Sequence, residues 1–223
     1  MNRYQIALEI AGATAMWTRP DTGDCPVSYP APTYSAVKGI FESLLWGPAI
    51  QIIPTKVEIC APIQYHNYQT NYGGPLRKMR VITKGEGYQL LATVLIDVCY
   101  RLYAEVSNVS AAVKNKIPDK ATKWDKNTTS PGHAYQAIFN RRLKRGQCYC
   151  MPFLGWKEFS PSYFGEFREM TIVQSDINMT IPSMLKEVFS GGYASECSFT
   201  YDQEVKITAG VMEYAKEGGR HVE

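Results

Sequence analysis

Apolar and polar residues alternate at the start of the chain, from Tyr4 to Ile10. This period is typical of a half-buried β-strand. The same alternation runs from Leu90 to Leu102, over more than a dozen residues, and predicts the most central strand of the sheet. Two shorter runs, AIQII and KVEICAPI, predict strands between residues 49 and 63.

The apolar spacing changes to that of a helix in two places. From Val37 to Leu45, apolar residues recur at i, i+3, i+4, i+7 and i+8, which predicts an amphipathic helix followed by Gly-Pro. The segment SPGHAYQAIFNRRLKRG, residues 130–146, predicts a second helix. Ser130 can cap its first amides, Pro131 suits its first turn, and Gly146 suits the position just past its end.

The remaining segments are rich in turn residues or alternate weakly. We expect long loops over residues 17–33 and 64–78, and a strand and turn over residues 147–159. Residues 167–182 and 202–215 predict additional, mostly antiparallel strands, with PSMLKEVFSGG between them.

The predicted order β-α-β-β-α-β is that of the ferredoxin-like unit, which is also the frame of RNA-recognition modules. We therefore predict an α+β fold with a ferredoxin-like, RRM-like core over residues 1–160. A C-terminal antiparallel β-appendage is expected over residues 161–223. A chain of 223 residues with 45% hydrophobic content can bury a full core.

Composition excludes several classes of protein. No stretch is long and apolar enough to span a bilayer, and charged residues interrupt the N-terminal apolar run, so we expect a cytoplasmic protein without membrane association. The six scattered cysteines are expected to be reduced and mostly buried. Asp21 and Asp24 could bind a hard cation but are more typical of a turn. Without nucleotide-binding or zinc motifs, we expect no cofactor and no metal.

The net charge of +3 conceals a strongly basic segment, because residues 114–145 hold nine Lys and Arg residues against two aspartates. Cations in a last helical turn can simply complement the helix dipole. Cations that accompany an exposed aromatic residue are instead typical of single-stranded nucleic-acid binding. We favour the second interpretation and predict these contacts: Lys120, Lys123, Trp124, Arg141, Lys144 and Arg145.

His133 is the strongest candidate for proton transfer. Histidine ordinarily titrates near neutral pH, and His133 lies in the first turn of the second predicted helix, on its polar face. A lone histidine is still more often structural than catalytic. His66, in a loop rich in tyrosine, is the competing candidate, and His221 lies close to the last residue.

Four segments together resemble the CRISPR-associated Cas-five family, and specifically its subtype I-C (Dvulg) branch. They are PAPTYSAVKGIFESLLWGP, APIQYHNYQTNYGGPLRK, HAYQAIFNRRLKRG and PFLGWKEF, and the most specific parts are PTYSAVKGIFES and FLGWKEF. The resemblance covers most of residues 1–160.

The resemblance implies a protein that recognises CRISPR repeat RNA and stays on the 5′ handle of the crRNA as a subunit of the type I-C interference complex, with possible contact to duplex DNA. In this subtype the subunit also acts as a metal-independent endoribonuclease, whose 2′-hydroxyl attack leaves a 2′,3′-cyclic phosphate. The alternative is a non-catalytic scaffold subunit bound to the crRNA 5′ handle. The third hypothesis is an unrelated globular binding protein with a basic helix.

The family's catalytic histidine falls on His133. The family's lysine directly before it is Gly132 here, and its tyrosine late in the first helix falls on Leu45, beside Trp46. Candidates for the missing groups are Lys123, Lys126, Tyr65, Tyr68 and Tyr135. Of these we predict Lys126 and Tyr68 as catalytic partners of the histidine.

Overall fold

The computed structural model describes residues 3–72, 88–109, 130–188 and 198–215. Within these ranges it contains eight strands and two helices, which make an α+β fold as predicted. In chain order they are β1 (Tyr4–Ala15), α1 (Tyr34–Leu44), β2 (Ile50–Ile59), β3 (Tyr65–Tyr72), β4 (Tyr88–Asn108), α2 (Pro131–Lys144), β5 (Tyr163–Gly165), β6 (Met179–Glu187), β7 (Thr200–Thr208) and β8 (Val211–Glu213).

All the named strands pair antiparallel in one sheet of order β5-β1-β4-β2-β8-β7-β6, with β3 also paired to β4. The 21-residue β4 is central, as its long alternation predicted. One of its edges pairs with β1, and the other pairs first with β3 and then with β2. β3 therefore lies beside the first part of β4, and β2 lies beside its last part.

Both helices cover one face of the sheet and bury their apolar stripes there. Phe41 of α1 and Phe139 of α2 are fully buried, with ring centroids 5.7 Å apart, above Leu8 of β1 and Leu102 of β4. Burying side chains of this size contributes about 1.5–3 kcal/mol each. Neither helix in the described ranges is long and apolar enough to cross a membrane.

Two segments differ from the predicted elements in the first part of the chain. The predicted loop over residues 64–78 contains β3, because the first half of β4 offers it a backbone partner that compensates for a polar sequence. AIQII and KVEICAPI form one strand, β2, with a bulge between Pro54 and Lys56. Pro54 has no amide hydrogen to donate to the neighbouring strand. The bulge accommodates the missing hydrogen bond, because the pairing is already irregular there.

The predicted strand over residues 147–159 is wrong. The amides of Tyr149 and Cys150 donate instead to the Ser43 carbonyl at the end of α1, and Leu154 docks on β1 through the Met16 amide. Residues 167–178 also form no strand, and β6 begins at Met179. Because β5 pairs with β1 and β8 with β2, residues beyond 160 continue the same sheet. The division into two domains stays a prediction.

A buried carboxylate, Glu9, holds Arg168 and Thr171 against the sheet. Glu9 is fully buried and accepts from Arg168 Nε at 2.5 Å, the Arg168 amide at 3.0 Å and the Thr171 hydroxyl at 2.8 Å. Burial alone would raise the pKa of Glu9, but these hydrogen bonds and the Arg168 charge lower it below the ordinary value. Arg101 extends the network by donating to the carbonyls of Arg168 and Thr171.

The cysteines differ from the expectation in their burial. The five within the described residues are free thiols, but Cys25 and Cys150 are exposed, and the other three are half-buried. Cys25, Cys148 and Cys150 lie outside the helices and strands, Cys60 lies just past β2, and Cys99 lies within β4 with its thiol near Glu9 and Arg168.

Candidate active site and nucleic-acid interface

The start of α2 is anchored to the sheet by contacts that the sequence did not predict. Ser130 takes the N-cap position but makes no capping hydrogen bond, and its hydroxyl pairs with the Tyr4 hydroxyl at 2.8 Å. The Asn108 side chain instead accepts from the Gly132 amide at 3.1 Å. The predicted capping role of Ser130 is therefore wrong, and Asn108, at the end of β4, takes it over.

His133 is exposed one residue further along the first turn of α2. The ring of Tyr4 lies beside it, with centroids 5.7 Å apart. The same ring closes the space at Gly132, where a Cβ atom would lie 2.8 Å from Tyr4 Cδ2. Tyr4 therefore occupies the volume that a lysine side chain would begin to fill, which accounts for the glycine at this position.

Tyr68 lies far from this histidine. Tyr68 pairs with Ala92 of β4, and Tyr4 pairs with Val106 of the same strand. Fourteen residues of β4, roughly 45 Å of strand, therefore separate the positions of Tyr68 and Tyr4. The Tyr68 ring packs edge-on against Trp156 and Phe159. The structure does not bring Tyr68 to His133, and Tyr65 and His66 belong to the same distant strand.

The other predicted groups divide into buried, exposed and undescribed residues. Tyr135 is buried beneath α2, and its hydroxyl donates to the Leu45 carbonyl. Burial raises the pKa of Tyr135, which removes it from proton transfer near neutral pH. Trp46, just past α1, is 60% exposed. Four of the predicted residues lie outside the described ranges: Lys120, Lys123, Trp124 and Lys126.

The C-terminal half of α2 and the residue that caps it present three exposed cations to solvent, Arg141, Lys144 and Arg145. The fourth basic residue, Arg142, turns inward and donates from Nη1 to the Leu44 carbonyl at 3.0 Å. It thereby satisfies a carbonyl at the end of α1 that the helix leaves unpaired. Arg142 holds the two helices together, and the other three are free to contact an anion.

A groove of about 410 Å³ lies between α2 and the outer edge of β1. Its lining residues come from β1, α2 and the turn after β5: Gln5, Ile6, Ala7, Asn140, Leu143, Glu166 and Phe167. His133, Gln136 and Asn140 are spaced three and four apart, so they lie on one stripe of α2. Gln136 Nε2 donates to the Gln5 carbonyl at 2.6 Å and ties this stripe to β1.

The acidic pair considered from the sequence forms a turn. Asp21 is paired with Arg19 at 2.7 Å, and that hydrogen bond lowers the pKa of Asp21. Across the described part of the chain, no group of three or more His, Cys, Asp or Glu residues is arranged to hold a metal ion.

Comparison with known proteins places the chain in a family. The family model described as CRISPR-associated protein (Cas_Cas5) matches residues 5–173, and the chain belongs to this family. The resemblance found in the sequence is thereby confirmed.

Two relatives carry the name CRISPR pre-crRNA endoribonuclease Cas5d. The chain is 30% identical over 175 residues to the protein of Mannheimia succiniciproducens, a match that covers 72% of this chain and 71% of that protein. It is 27% identical over 161 residues to the protein of Thermus thermophilus, which covers 72% of this chain and 63% of that protein.

Solved structures share the fold. A crystal structure described as a CRISPR-associated protein matches with a TM-score of 0.71 at 18% identity, covering 100% of this chain and 97% of that one. A chain of a CRISPR RNA-guided surveillance complex matches with a TM-score of 0.51 at 14% identity, covering 97% and 95%.

Proposed function

We propose that this protein is a metal-independent endoribonuclease that cuts CRISPR repeat RNA and stays on the 5′ handle of the crRNA. One observation carries the proposal: the exposed imidazole of His133 lies beside Tyr4, at one end of a helix whose other end presents three cations. The name of the two Cas5d relatives, pre-crRNA endoribonuclease, supports the substrate.

The proposed reaction needs two proton transfers. The 2′-hydroxyl loses a proton as its oxygen attacks the adjacent phosphorus, and the leaving 5′-oxygen gains one as its bond to phosphorus breaks. The products are a 2′,3′-cyclic phosphate and a 5′-hydroxyl. His133 would act as general acid or base, since a positioned imidazole can do either near neutral pH. A nearby cation would stabilise the charge that develops on the phosphate oxygens.

The proposed partners of His133 rest on different evidence: Tyr4 on a described contact, and the others on the sequence. Tyr4 has the nearest described aromatic ring, and its hydroxyl is already oriented by Ser130. Lys126 stays a prediction, as do the contacts at Lys120, Lys123 and Trp124. Tyr68 also stays a prediction. Because it lies on β3, far along the sheet from His133, we favour Tyr4 as the tyrosine that assists the histidine.

We further propose that the core is ferredoxin-like and that the chain serves as a subunit of a type I-C interference complex. The strand order β5-β1-β4-β2, with β3 as an addition, supports the ferredoxin-like core. The match to a chain of a surveillance complex supports the wider assembly through its fold alone. Contact with duplex DNA and the two-domain division belong to the same proposal.

The deciding experiment is incubation of the purified protein with repeat RNA in EDTA. We expect one defined cut, with a 5′-hydroxyl on one product and a phosphatase-resistant cyclic phosphate on the other. Tight binding without a cut would favour the scaffold alternative. No affinity for repeat RNA, even at low salt, would contradict both.

The exposed cations of α2 should contribute measurably to RNA binding. We expect the triple variant Arg141→Ala, Lys144→Ala, Arg145→Ala to bind repeat RNA more weakly. Each lost phosphate contact on a single strand lowers the slope of log K against log salt by about 0.7, so the full loss approaches about 2. Fluorescence anisotropy over a salt series measures both quantities. Lys206→Ala, an exposed cation on β7, is the control, and an unchanged slope in the triple variant would place the RNA elsewhere.

A further inference from the structure

We propose that the groove between α2 and β1 binds one unpaired nucleobase of the RNA and selects bases that carry an amino group over uracil. This inference rests on the proposed function and adds a specificity-determining site to it. The residues that carry it are Ala7, Asn140, Glu166 and Phe167.

The edge of β1 supplies a free donor and a free acceptor. β5 pairs only with residues Glu9 to Ala11. The carbonyls of Ala11 and Gln5 both point away from β4, since they accept from the Ser162 amide and from Gln136. Carbonyls alternate in direction along a strand, so the amide and carbonyl of Ala7 also point outward, past the end of β5. They therefore open into the groove.

The walls of the groove provide an aromatic surface and side-chain polar groups. Phe167 is 39% exposed, and its ring is held by the Tyr103 ring at 5.4 Å and the Arg101 guanidinium at 4.9 Å. Asn140 is exposed, and its side chain makes no hydrogen bond within the described part of the chain. Buried Ile6 and Leu143 form the apolar floor.

These groups match the requirements of an unstacked base. Sequence-specific RNA recognition stacks splayed bases on aromatic rings and hydrogen-bonds their edges. A carboxamide beside a backbone amide and carbonyl can contact both donors and acceptors on one base edge. The Glu166 carboxylate can only accept hydrogen bonds. Placed at an exocyclic position of the base, it favours the amino group of adenine, cytosine or guanine over the carbonyl oxygen that uracil has there, and the only donor left on the uracil base edge is its ring N3–H.

The position of the groove ties base selection to cleavage. Asn140 lies seven residues after His133 on the same stripe of α2, about 10 Å along the helix axis. Lys144 follows one turn later and continues the stripe. A base held at Asn140 would fix the register of the strand, and with it the phosphodiester bond that reaches His133.

The test uses repeat RNA with each unpaired base changed in turn to the other three. We expect the parent protein to show one position at which uracil lowers the cleavage rate about 5- to 100-fold, as expected for a bidentate contact. Asn140→Ala and Phe167→Leu should reduce that discrimination. Glu166→Gln should admit uracil, since an amide can also donate. Gln147→Ala, just past α2 and outside the groove lining, should behave as the parent does.

The outcomes separate this inference from the proposed function. If the parent protein cuts or binds repeat RNA but the Asn140 and Glu166 variants keep the parental base preference at every position, the base pocket is overturned and the nuclease proposal stands. If the parent protein neither binds nor cuts repeat RNA, both are overturned. Unchanged thermal unfolding of the variants shows that the exposed substitutions left the fold intact.

Discussion

His133→Ala should abolish the cut in repeat RNA while leaving RNA binding nearly intact. The loss of rate should be about 10² to 10⁴, the contribution of a positioned acid or base. Binding should persist because one imidazole adds little to an association dominated by several phosphate contacts. Single-turnover cleavage and fluorescence anisotropy, measured on the same preparation, separate the two effects.

His66→Ala is the matched control, because this histidine is also exposed but lies far from Tyr4. It pairs with Val94 of β4, just past the point where the pairing of β1 with β4 ends. It should cut at the parental rate. Lys126→Ala should show a smaller loss than His133→Ala. Parental cleavage by His133→Ala would remove the proposed site and make His66, with Tyr65 and Tyr68, the next candidate.

Gly155→Ala should destabilise the protein more than other glycine substitutions in the described part of the chain. Gly155 has a φ of +91°, and a Cβ atom there would overlap the carbonyl oxygen of Met16, the residue just after β1. Strain of this kind costs about 1–3 kcal/mol before the clash with backbone is added. We expect about 3 kcal/mol or more in the free energy of unfolding, which is about 6–12 °C in Tm for a chain of this length.

Substitutions at two other glycines serve as controls for the stability measurement on Gly155→Ala. Gly146 also has a positive φ, +63°, but nothing lies within 4 Å of a Cβ there, so Gly146→Ala should cost only the backbone strain. Gly39 lies exposed in α1 with open space around it, so Gly39→Ala should stabilise by about 0.5–1 kcal/mol. If Gly155→Ala were no worse than Gly146→Ala, the docking of the FLGWKEF segment on β1 would be wrong.

The positions of the strongest elements could be predicted from the sequence because their patterns are local. The alternation from Leu90 to Leu102 identified the central strand, and the 3.6-residue spacing identified both helices. The same holds for His133 and the cations of α2, because helix spacing alone places them on its polar side.

Other features depended on partners distant in the sequence. β3 has too polar a sequence to predict a strand, and it forms because the long β4 offers an unpaired edge. Asn108 replaced Ser130 as the group that accepts from the start of α2, because the end of β4 brings its carboxamide there. A lone carboxylate such as Glu9 gives no sequence signal that Arg168 will cover it.

The sequence by itself determined the two helices, the long central strand, the polar face of α2 and the family resemblance, since each rests on a pattern within one segment. Only the tertiary structure decided that Tyr4, rather than Tyr68, lies beside His133, and that the end of β5 leaves an open edge of β1 facing Asn140. Strand register sets both results, because it depends on hydrogen bonds between segments that are far apart along the chain.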